Sequence, residues 1–366
     1  MINKETARKI GKYLCRVLIV ILITIAMTAA TLYGVLFVLT KGPSPTASKL
    51  FVKTVKETSA GGFLADMFFT KAEIDEIISV KSSEIDESET VDPSLIRIPD
   101  KPEDSKPADS SGKTDNQTDV PDTDEHETSV PIQDDPDDGI EIIDIIGGAY
   151  KGKMLIVKDP KRVFIGIPPE GYGENKWGLT VKKMVNYYGA VAGTNAGGFF
   201  DPDGKGTGGI PEGYVIYEGE LVWGARNIAY SIVGFDDNGL LHVGRMTAER
   251  ALALGMKYAV CFGPSLIING VPCNENYDLG GGVNPRTVVG QREDGAVLIL
   301  VINGRQIDSI GASYDDLIDI MLEHGAVNAG NLDGGSSSIL MYEGEYQTKS
   351  AYLFGERIVP NAILVK

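Results

Sequence analysis

Histidine and cysteine are scarce in this 366-residue sequence, with three of each. No pair of these residues has the spacing of zinc ligands, which argues against a zinc site. His126 lies in an acidic polar segment, His242 in a strand-like run and His324 near the end of a helical pattern. None is placed as the base of a Ser-His-Asp system, so a serine hydrolase is a poor interpretation.

Basic residues are also in deficit, because 34 Lys and Arg stand against 51 Asp and Glu, a formal net charge of −17. A chain without a basic face is not expected to bind nucleic acid. Most of the acidity belongs to residues 81–138, which hold 19 acidic and 5 basic residues. This segment is rich in Ser, Thr and Pro and nearly free of aromatics, which predicts a disordered, self-repelling linker.

The three cysteines leave one question open. Cys15 borders an apolar stretch, whereas Cys261 and Cys273 lie twelve positions apart in a segment rich in Gly, Pro and Asn. In an oxidising compartment the latter two could form a disulfide. Two ordinary buried thiols are the alternative.

A long apolar run lies near the N-terminus, where residues 17–39 carry no charge. This length is sufficient to span a bilayer. Residues 1–16 contain one acid, Glu5, against five basic residues, which are Lys4, Arg8, Lys9, Lys12 and Arg16. The positive-inside rule then predicts a single-pass plasma-membrane anchor, with residues 1–16 in the cytoplasm and the chain beyond residue 40 outside. A cleaved signal peptide is the alternative, although its apolar region is usually shorter.

Residues 40–80 form a juxtamembrane segment whose amphipathic pattern predicts partly helical structure, broken at Gly61 and Gly62. The segment either packs near the membrane, mediates self-association, or forms a short solvated helix pair.

The composition changes at about residue 140, because most of the 44 glycines lie beyond residue 138. Strand-like runs recur, and "FDDNGLLHV" and "QREDGAVLILV" each place a turn dipeptide between two runs, which predicts hairpins. Three helical patterns lie among them, and the last begins with Ser313 and Asp316 as a helix cap. Residues 140–366 are therefore predicted to form one compact α/β domain of the mixed α+β kind, with a mixed, largely antiparallel sheet and flanking helices.

Four polar segments with glycine stand beside these apolar runs: "GTNAGGFFDPDGKGTGGIP" (193–211), "NPRTVVG" (284–290), "VINGRQ" (301–306) and "AGNLDGGSSS" (329–338). Asn and Gly permit positive φ and let backbone N–H groups turn toward a bound anion. Glycine also lets a ligand approach the main chain.

Taken in order, the motifs "NAGGFF", "GP", "NPRTVVG", "NGR", "NLDGGSSS" and "RIVPNAIL" resemble the phosphodiester glycosidase family over about residues 145–366. The family usually has glycine where this chain has Ser336, a departure that alters the freedom of the loop more than its chemistry. The resemblance implies hydrolysis of a sugar C1–O–phosphate linkage.

The implied chemistry assigns roles to the motif residues. A phosphodiester is a good leaving group, so the reaction needs donors on the phosphate and a carboxylate near the anomeric carbon more than a strong acid. Asp333 is the candidate carboxylate, and Arg286 and Arg305 are candidate phosphate ligands. The alternatives are an Asx-type turn for Asp333, a structural ion pair for Arg286 and a turn position for Arg305.

The remaining candidates are expected to bind substrate through amides, hydroxyls and open backbone. They are Asn195, Gly197, Gly198, Asn331, Gly334, Gly335, Ser336, Ser337 and Asn361. Phe199 and Phe200 form either an apolar floor for the sugar or part of the core.

No cofactor is expected to be required. "DPDGKG" (201–206) resembles the start of a calcium loop, with Asp201 and Asp203 as candidate Ca²⁺ ligands, but the full EF-hand spacing is absent. A plain surface turn is the alternative.

The sequence thus predicts an anchored, extracytoplasmic hydrolase of sugar-1-phosphodiesters. Its location suggests envelope glycopolymer substrates, such as teichoic-acid-like, capsular or exopolysaccharide chains. A non-catalytic glycan- or wall-binding module on a tether is the alternative, and a structural envelope protein is a third possibility. Neither the sugar nor a retaining or inverting outcome follows from these residues.

Overall fold

The computed structural model describes residues 4–58, 61–78, 90–98, 139–275, 279–352 and 355–366. The chain divides into two compact units, Met1–Val80 and Lys81–Lys366. Most of the predicted linker 81–138 lies outside the described residues.

The N-terminal unit is helical. Its helices are α1 (Lys4–Lys41), α2 (Pro45–Lys56), α3 (Phe63–Asp66) and α4 (Lys71–Ile78). Residues Arg8–Lys41 of α1 are long and apolar enough to cross a membrane, a property that a signal sequence shares. In this unit α1 is followed by three short helices that enclose a small apolar cluster of Val52, Ala65 and Ile74.

Two of these short helices begin at sequence-encoded caps. The Ser44 hydroxyl accepts a hydrogen bond from the Ala47 amide, and Pro45 occupies the first turn of α2, where its missing N–H costs nothing. Thr70 and Glu73 bond reciprocally at the start of α4. The described residues between 45 and 78 are thus partly helical, with one of the breaks near Gly61 and Gly62.

The C-terminal unit contains three further described helices and seventeen described strands. The helices are α5 (Val181–Tyr188), α6 (Ala248–Ala253) and α7 (Tyr314–Glu323). The first strands are β1 (Ile140–Ile146), β2 (Lys151–Val157), β3 (Val163–Gly166), β4 (Ala192–Asn195), β5 (Val215–Tyr217), β6 (Glu220–Trp223), β7 (Ala229–Asp236) and β8 (Leu241–Thr247). The others are β9 (Met256–Cys261), β10 (Ser265–Ile268), β11 (Val271–Pro272), β12 (Arg286–Arg292), β13 (Val297–Ile302), β14 (Ala326–Leu332), β15 (Leu340–Tyr342), β16 (Glu345–Tyr346) and β17 (Ala362–Val365).

The described strands form three sheets. One has seven strands in the order β1-β2-β13-β12-β14-β10-β11, and the others have five each, β16-β15-β4-β17-β3 and β6-β5-β9-β7-β8. Every pairing between the described strands is antiparallel, including the two predicted hairpins β7–β8 and β12–β13. The predicted mixed α+β class with a largely antiparallel sheet is confirmed.

The seven-stranded sheet is covered on both faces. On β13, Val297, Ile299 and Val301 enter the core shared with the five-stranded sheets, while Leu298 and Leu300 enter the core under α7. Because side chains alternate along a strand, continuous apolar runs such as "VLILVI" are what a doubly covered strand requires. Helix α7 begins at the predicted cap, where Ser313 and Asp316 form a reciprocal capping box.

Residues 90–98, which we call the strap, differ from the predicted disordered linker. Val91 and Ile96 are 6% and 7% exposed and belong to the core of the C-terminal unit. The side-chain amide of Asn269 donates to the Thr90 carbonyl at 3.0 Å. The strap is ordered because its two apolar side chains find a hydrophobic partner, which composition averaged over 58 residues conceals.

Candidate functional site

Five strand ends converge because of the register of two sheets. Thr287, near the start of β12, pairs with Leu332 at the end of β14, and Ser265 at the start of β10 pairs with Gly330. In the neighbouring sheet Asn195, the last residue of β4, pairs with Ala362 at the start of β17. The loops that leave or enter these strands carry the motifs "NAGGFF", "GP", "NPR", "NLDGG" and "RIVPN".

Backbone bonds join the Asp333 loop to the loop after β4. The Asp333 amide donates to the Ala196 carbonyl at 2.9 Å, and the Asn195 side-chain amide donates to the Asp333 carbonyl at 2.5 Å. Gly335 has φ +60°, and a Cβ on Gly334 would lie 2.8 Å from the Pro285 carbonyl oxygen. Both glycines are therefore required by the backbone path, since a side chain would be strained at one and would clash at the other.

The Asp333 carboxyl has an unusual acidity. Burial raises its pKa to about 7, and the nearby carboxylate of Asp201 acts in the same direction. The Ser337 hydroxyl, the Arg357 guanidinium and the Gly334 amide favour the charged form and partly offset the effect of burial. Asp333 therefore exchanges its proton near neutral pH, as a group that acts in catalysis often does.

Arg357 is a site residue that the sequence reasoning missed. It is 8% exposed and donates two hydrogen bonds to Asp201, at 2.7 and 2.8 Å. A third bond, of 3.3 Å, reaches the Ser336 hydroxyl, and the guanidinium lies 5.1 Å from the centre of the Phe199 ring. Its position in "RIVPNAIL" was a signal that could have identified it, because that motif belonged to the resemblance.

Asp201, a candidate Ca²⁺ ligand in the sequence, forms an ion pair with Arg357. Burial pushes its pKa up, but the Arg357 fork and the Gly206 amide outweigh burial and bring the pKa below its ordinary value. Both carboxylate oxygens are engaged by Arg357, and the Gly206 amide donates to one of them at 2.6 Å. Within the described residues no group of three His, Cys, Asp or Glu could hold a metal ion. The side chain of Asp203 lies outside the described structure.

Arg286 does not lie where a phosphate ligand was expected. It is 4% exposed, and its guanidinium donates to the carbonyls of Gly282 (2.6 Å) and Ala312 (3.3 Å) and to the Tyr314 hydroxyl (3.2 Å). It also lies 4.3 Å from the centre of the Tyr314 ring. Because its guanidinium is buried and donates to these neighbouring groups, Arg286 supports the loops around the site.

Arg305 is better placed than Arg286 to meet a ligand. It is exposed, has φ +57°, and donates to the Asn284 side chain at 3.2 Å. One guanidinium nitrogen lies 3.2 Å from the position a Cβ would take on Gly335. The exposed cation thus lies against the "NLDGG" loop.

The three asparagines divide into two kinds. The Asn195 side chain is fully buried and accepts from Thr287 at 2.9 Å, so it fixes the loops. The Asn361 oxygen accepts from the Gly197 amide and the Asn331 amide donates to the Gly263 carbonyl, both at 2.7 Å. Asn361 Nδ2 and Asn331 Oδ1 have no hydrogen-bond partner among the described residues although they are buried.

The glycines and serines beside Asp333 have mainly steric and hydrogen-bonding roles. A Cβ on Gly197 would lie 2.9 Å from Val260, and one on Gly198 would lie 2.5 Å from a Glu212 carboxylate oxygen. Ser337 is buried beside the Asp333 carboxyl.

The aromatic and cysteine alternatives are also resolved by position. Phe199 packs under Arg357, whereas Phe200 is 63% exposed. Cys261 and Cys273 are both buried and no disulfide joins them.

Comparison with known proteins finds the family that the motifs resemble. Residues 188–366 match the phosphodiester glycosidase family. The SPbeta prophage-derived protein YomE of Bacillus subtilis is 32% identical over 123 residues, which cover 32% of this chain and 19% of YomE. The N-acetylglucosamine-1-phosphodiester alpha-N-acetylglucosaminidase of Bos taurus is 26% identical over 216 residues, 54% of this chain and 40% of the bovine protein. The chain thus spans less than half the length of these curated relatives.

The fold has a counterpart among solved structures. The catalytic domain of the zebrafish N-acetylglucosamine-1-phosphodiester alpha-N-acetylglucosaminidase, auto-inhibited by its pro-peptide, superposes with a TM-score of 0.52 at 21% identity. The match covers 62% of this chain and 81% of the zebrafish chain. The residues 188–366 that match the phosphodiester glycosidase family include Asp333, Arg357 and the strand ends that hold them.

Proposed function

We propose that the C-terminal domain hydrolyses the sugar C1–O bond of sugar-1-phosphodiesters of the N-acetylglucosamine-1-phosphodiester kind. The observation that carries the proposal is the Asp333 carboxyl, whose pKa of about 7 arises from burial in a loop that two glycines shape. The family match and the bovine relative's activity support the same reaction class.

In this reaction Asp333 acts in its ionised form beside the anomeric carbon. It either attacks C1 to form a glycosyl ester that water then hydrolyses, or stabilises the oxocarbenium-like transition state while water adds to C1. In both routes the C1–O bond breaks and the phosphomonoester leaves with the bonding electrons. Arg357 stabilises the ionised carboxylate, and Asp201 holds the Arg357 fork in place. Arg305, exposed against Gly335, supplies the cation for the phosphate.

We further propose that α1 anchors the protein in the plasma membrane with its basic end in the cytoplasm. Support comes from the apolar Arg8–Lys41 helix and the basic residues before residue 17. The domain then faces the cell exterior, where envelope glycopolymers provide sugar-1-phosphodiester linkages. A reporter fused at either end of the chain tests the orientation, and an externally cleaved, anchor-free product would favour a signal peptide instead.

The experiment uses the full chain in detergent with a panel of sugar-1-phosphodiesters, including the methyl ester of α-GlcNAc-1-phosphate. Release of free sugar and of phosphomonoester is followed for the wild type and Asp333→Asn. Asp144→Asn, on the exposed face of β1, is the matched control. Sugar release that vanishes only in Asp333→Asn supports the proposal. Saturable binding without release, unchanged by Asp333→Asn, favours a glycan-binding module.

A further inference from the structure

A cavity of about 340 Å³ adjoins the Asp333 loop and takes no part in the chemistry described above. Its lining includes Glu212, Tyr230, Ser231, Arg245, Phe262 and Gly263. The Gly263 carbonyl accepts the side-chain amide of Asn331, two residues before Asp333. The cavity and the Asp333 loop therefore share a wall, and the volume lies in the range that holds one small ligand group.

Two opposite charges line this cavity without neutralising each other. Within the described structure, neither the Glu212 carboxylate nor the Arg245 guanidinium has an ion pair or side-chain hydrogen bond. Arg245 on β8 pairs in register with Ser231 on β7, so both side chains leave the same face of the sheet. Burial raises the pKa of Glu212 above its ordinary value.

Gly198 keeps the Glu212 carboxylate accessible. The Glu212 amide donates to the Gly198 carbonyl at 2.8 Å, which fixes the two loops side by side. A Cβ on Gly198 would lie 2.5 Å from a Glu212 carboxylate oxygen and 2.7 Å from the Phe262 ring. The glycine predicted to face the substrate therefore borders the cavity, two residues after Ala196, whose carbonyl accepts from the Asp333 amide.

We propose that this cavity is a subsite for an anionic polyol unit of the substrate, beyond the sugar whose C1–O bond is cleaved. The proposal rests on the function proposed above. The Arg245 guanidinium can donate two parallel hydrogen bonds to two oxygens of a phosphate or carboxylate group. The Glu212 carboxylate and the Ser231 hydroxyl accept hydrogen bonds from neighbouring hydroxyls. A cavity that holds both an anionic acceptor and a cationic donor favours a unit that carries both hydroxyl groups and an anion.

The kinetic test compares esters of α-GlcNAc-1-phosphate on the full chain in detergent. Glycerol 3-phosphate and glycerate esters supply the phosphate and carboxylate forms of the anion, and the methyl ester supplies neither. Arg245→Gln is expected to raise KM about tenfold for the preferred anionic ester, with kcat and the methyl ester unaffected. Arg226→Gln, an exposed arginine outside the cavity, is the matched control. An unchanged KM for both anionic esters in Arg245→Gln overturns the subsite.

Replacing the neighbouring acid, Glu212, is expected to change KM in the opposite direction. Glu212→Gln keeps a hydrogen-bond acceptor but removes a negative charge near the anion, so KM for the anionic ester is expected to fall about threefold. A merely structural role for Glu212 would not improve binding. A rise in KM for the anionic and methyl esters alike contradicts the proposed arrangement.

A binding measurement separates the subsite from the proposed reaction. Glycerol 3-phosphate and glycerate are titrated into full-chain Asp333→Asn with and without Arg245→Gln, using calorimetry. If the wild type cleaves no phosphodiester but the probes bind and Arg245→Gln weakens their binding, the subsite is supported and the proposed function is contradicted. If the wild type cleaves phosphodiesters but the probes do not bind and Arg245→Gln has no effect, the proposed function is supported and the subsite is contradicted.

Discussion

The side-chain amide of Asn195 donates to the backbone carbonyl of Asp333 at 2.5 Å, across 138 positions of sequence. The Asn195 oxygen meanwhile accepts from the Thr287 hydroxyl at 2.9 Å and from the Ile339 amide at 3.3 Å. One buried amide thus connects β4, β12 and the Asp333 loop. It holds the position of the candidate carboxylate through the main chain.

The first prediction concerns this buried amide. Asn195→Ala is expected to lower the free energy of unfolding by roughly 2–4 kcal/mol, because it leaves several buried polar groups without a partner. Asn186→Ala, on the exposed face of α5, is the control and should change it by less than about 0.5 kcal/mol. Denaturant unfolding of the full chain in detergent measures both. Equal stability of the two variants contradicts the role given to Asn195.

The second prediction concerns the pH dependence of turnover. The proposed reaction needs ionised Asp333, whose pKa is raised to about 7. We therefore expect kcat/KM to rise with pH through about 7 and to level off above it. A rate that falls over the same interval would instead make Asp333 a proton donor.

The third prediction links the same carboxyl to stability. The unfolded carboxyl ionises near its ordinary pKa of 3.8, whereas burial delays ionisation in the folded state to about 7. The unfolded state therefore loses its proton first, and stability falls as pH rises between these values. Asp333→Asn is expected to remove this loss and to stabilise the protein by about 1–3 kcal/mol at pH 8, with little effect at pH 3.5. Thermal unfolding at the two pH values measures the difference.

The fourth prediction tests Arg357 through Asp333. Arg357→Gln removes the cation that favours the ionised carboxylate, so the pH–rate profile should move to higher pH. Arg357→Lys keeps the charge but loses the bidentate hydrogen bond to Asp201. Its pH–rate profile should therefore lie close to that of the wild type, while its kcat/KM stays below the wild-type value. Profiles of kcat/KM for the three proteins are compared. If neither variant moves the profile, Arg357 does not act on Asp333.

Local patterns predicted much of the fold because local physics decides those elements. The Ser313 cap of α7 and the two hairpin turns depend on residues a few positions apart. Strands such as β4 and β14 lack a local signal, since the small and polar residues of "AGTN" and "AVNAGNL" carry no clear period. Their strand state comes from long-range pairing.

The candidate site also has one part that the sequence predicted and another that only the fold shows. The Asp333 loop was predicted from its motif, and the structure gives its carboxyl a surrounding that raises the pKa. The motif "RIVPNAIL" marked Arg357 as a candidate, but the sequence could not decide between it and Arg286, because each is a single arginine within a motif. Only the fold shows that Tyr314 and two backbone carbonyls hold Arg286, while Asp201 holds Arg357, whose charge acts on Asp333.

The fifth prediction concerns the strap of residues 90–98 and the boundary of the domain. Ile96 is 7% exposed in the domain core, whereas Leu95 beside it is 38% exposed. Ile96→Asp in the full chain is expected to destabilise the C-terminal unit by about 2–4 kcal/mol, because it buries a charge or detaches the strap. Leu95→Asp places the same charge in solvent and should cost less than about 0.5 kcal/mol. Amide hydrogen exchange at Asp92 and Arg97, whose amides donate to the Asn269 side-chain oxygen and the Glu293 carbonyl, should accelerate only in Ile96→Asp. Equal exchange in both variants would return the strap to the linker and the start of the domain to about residue 140.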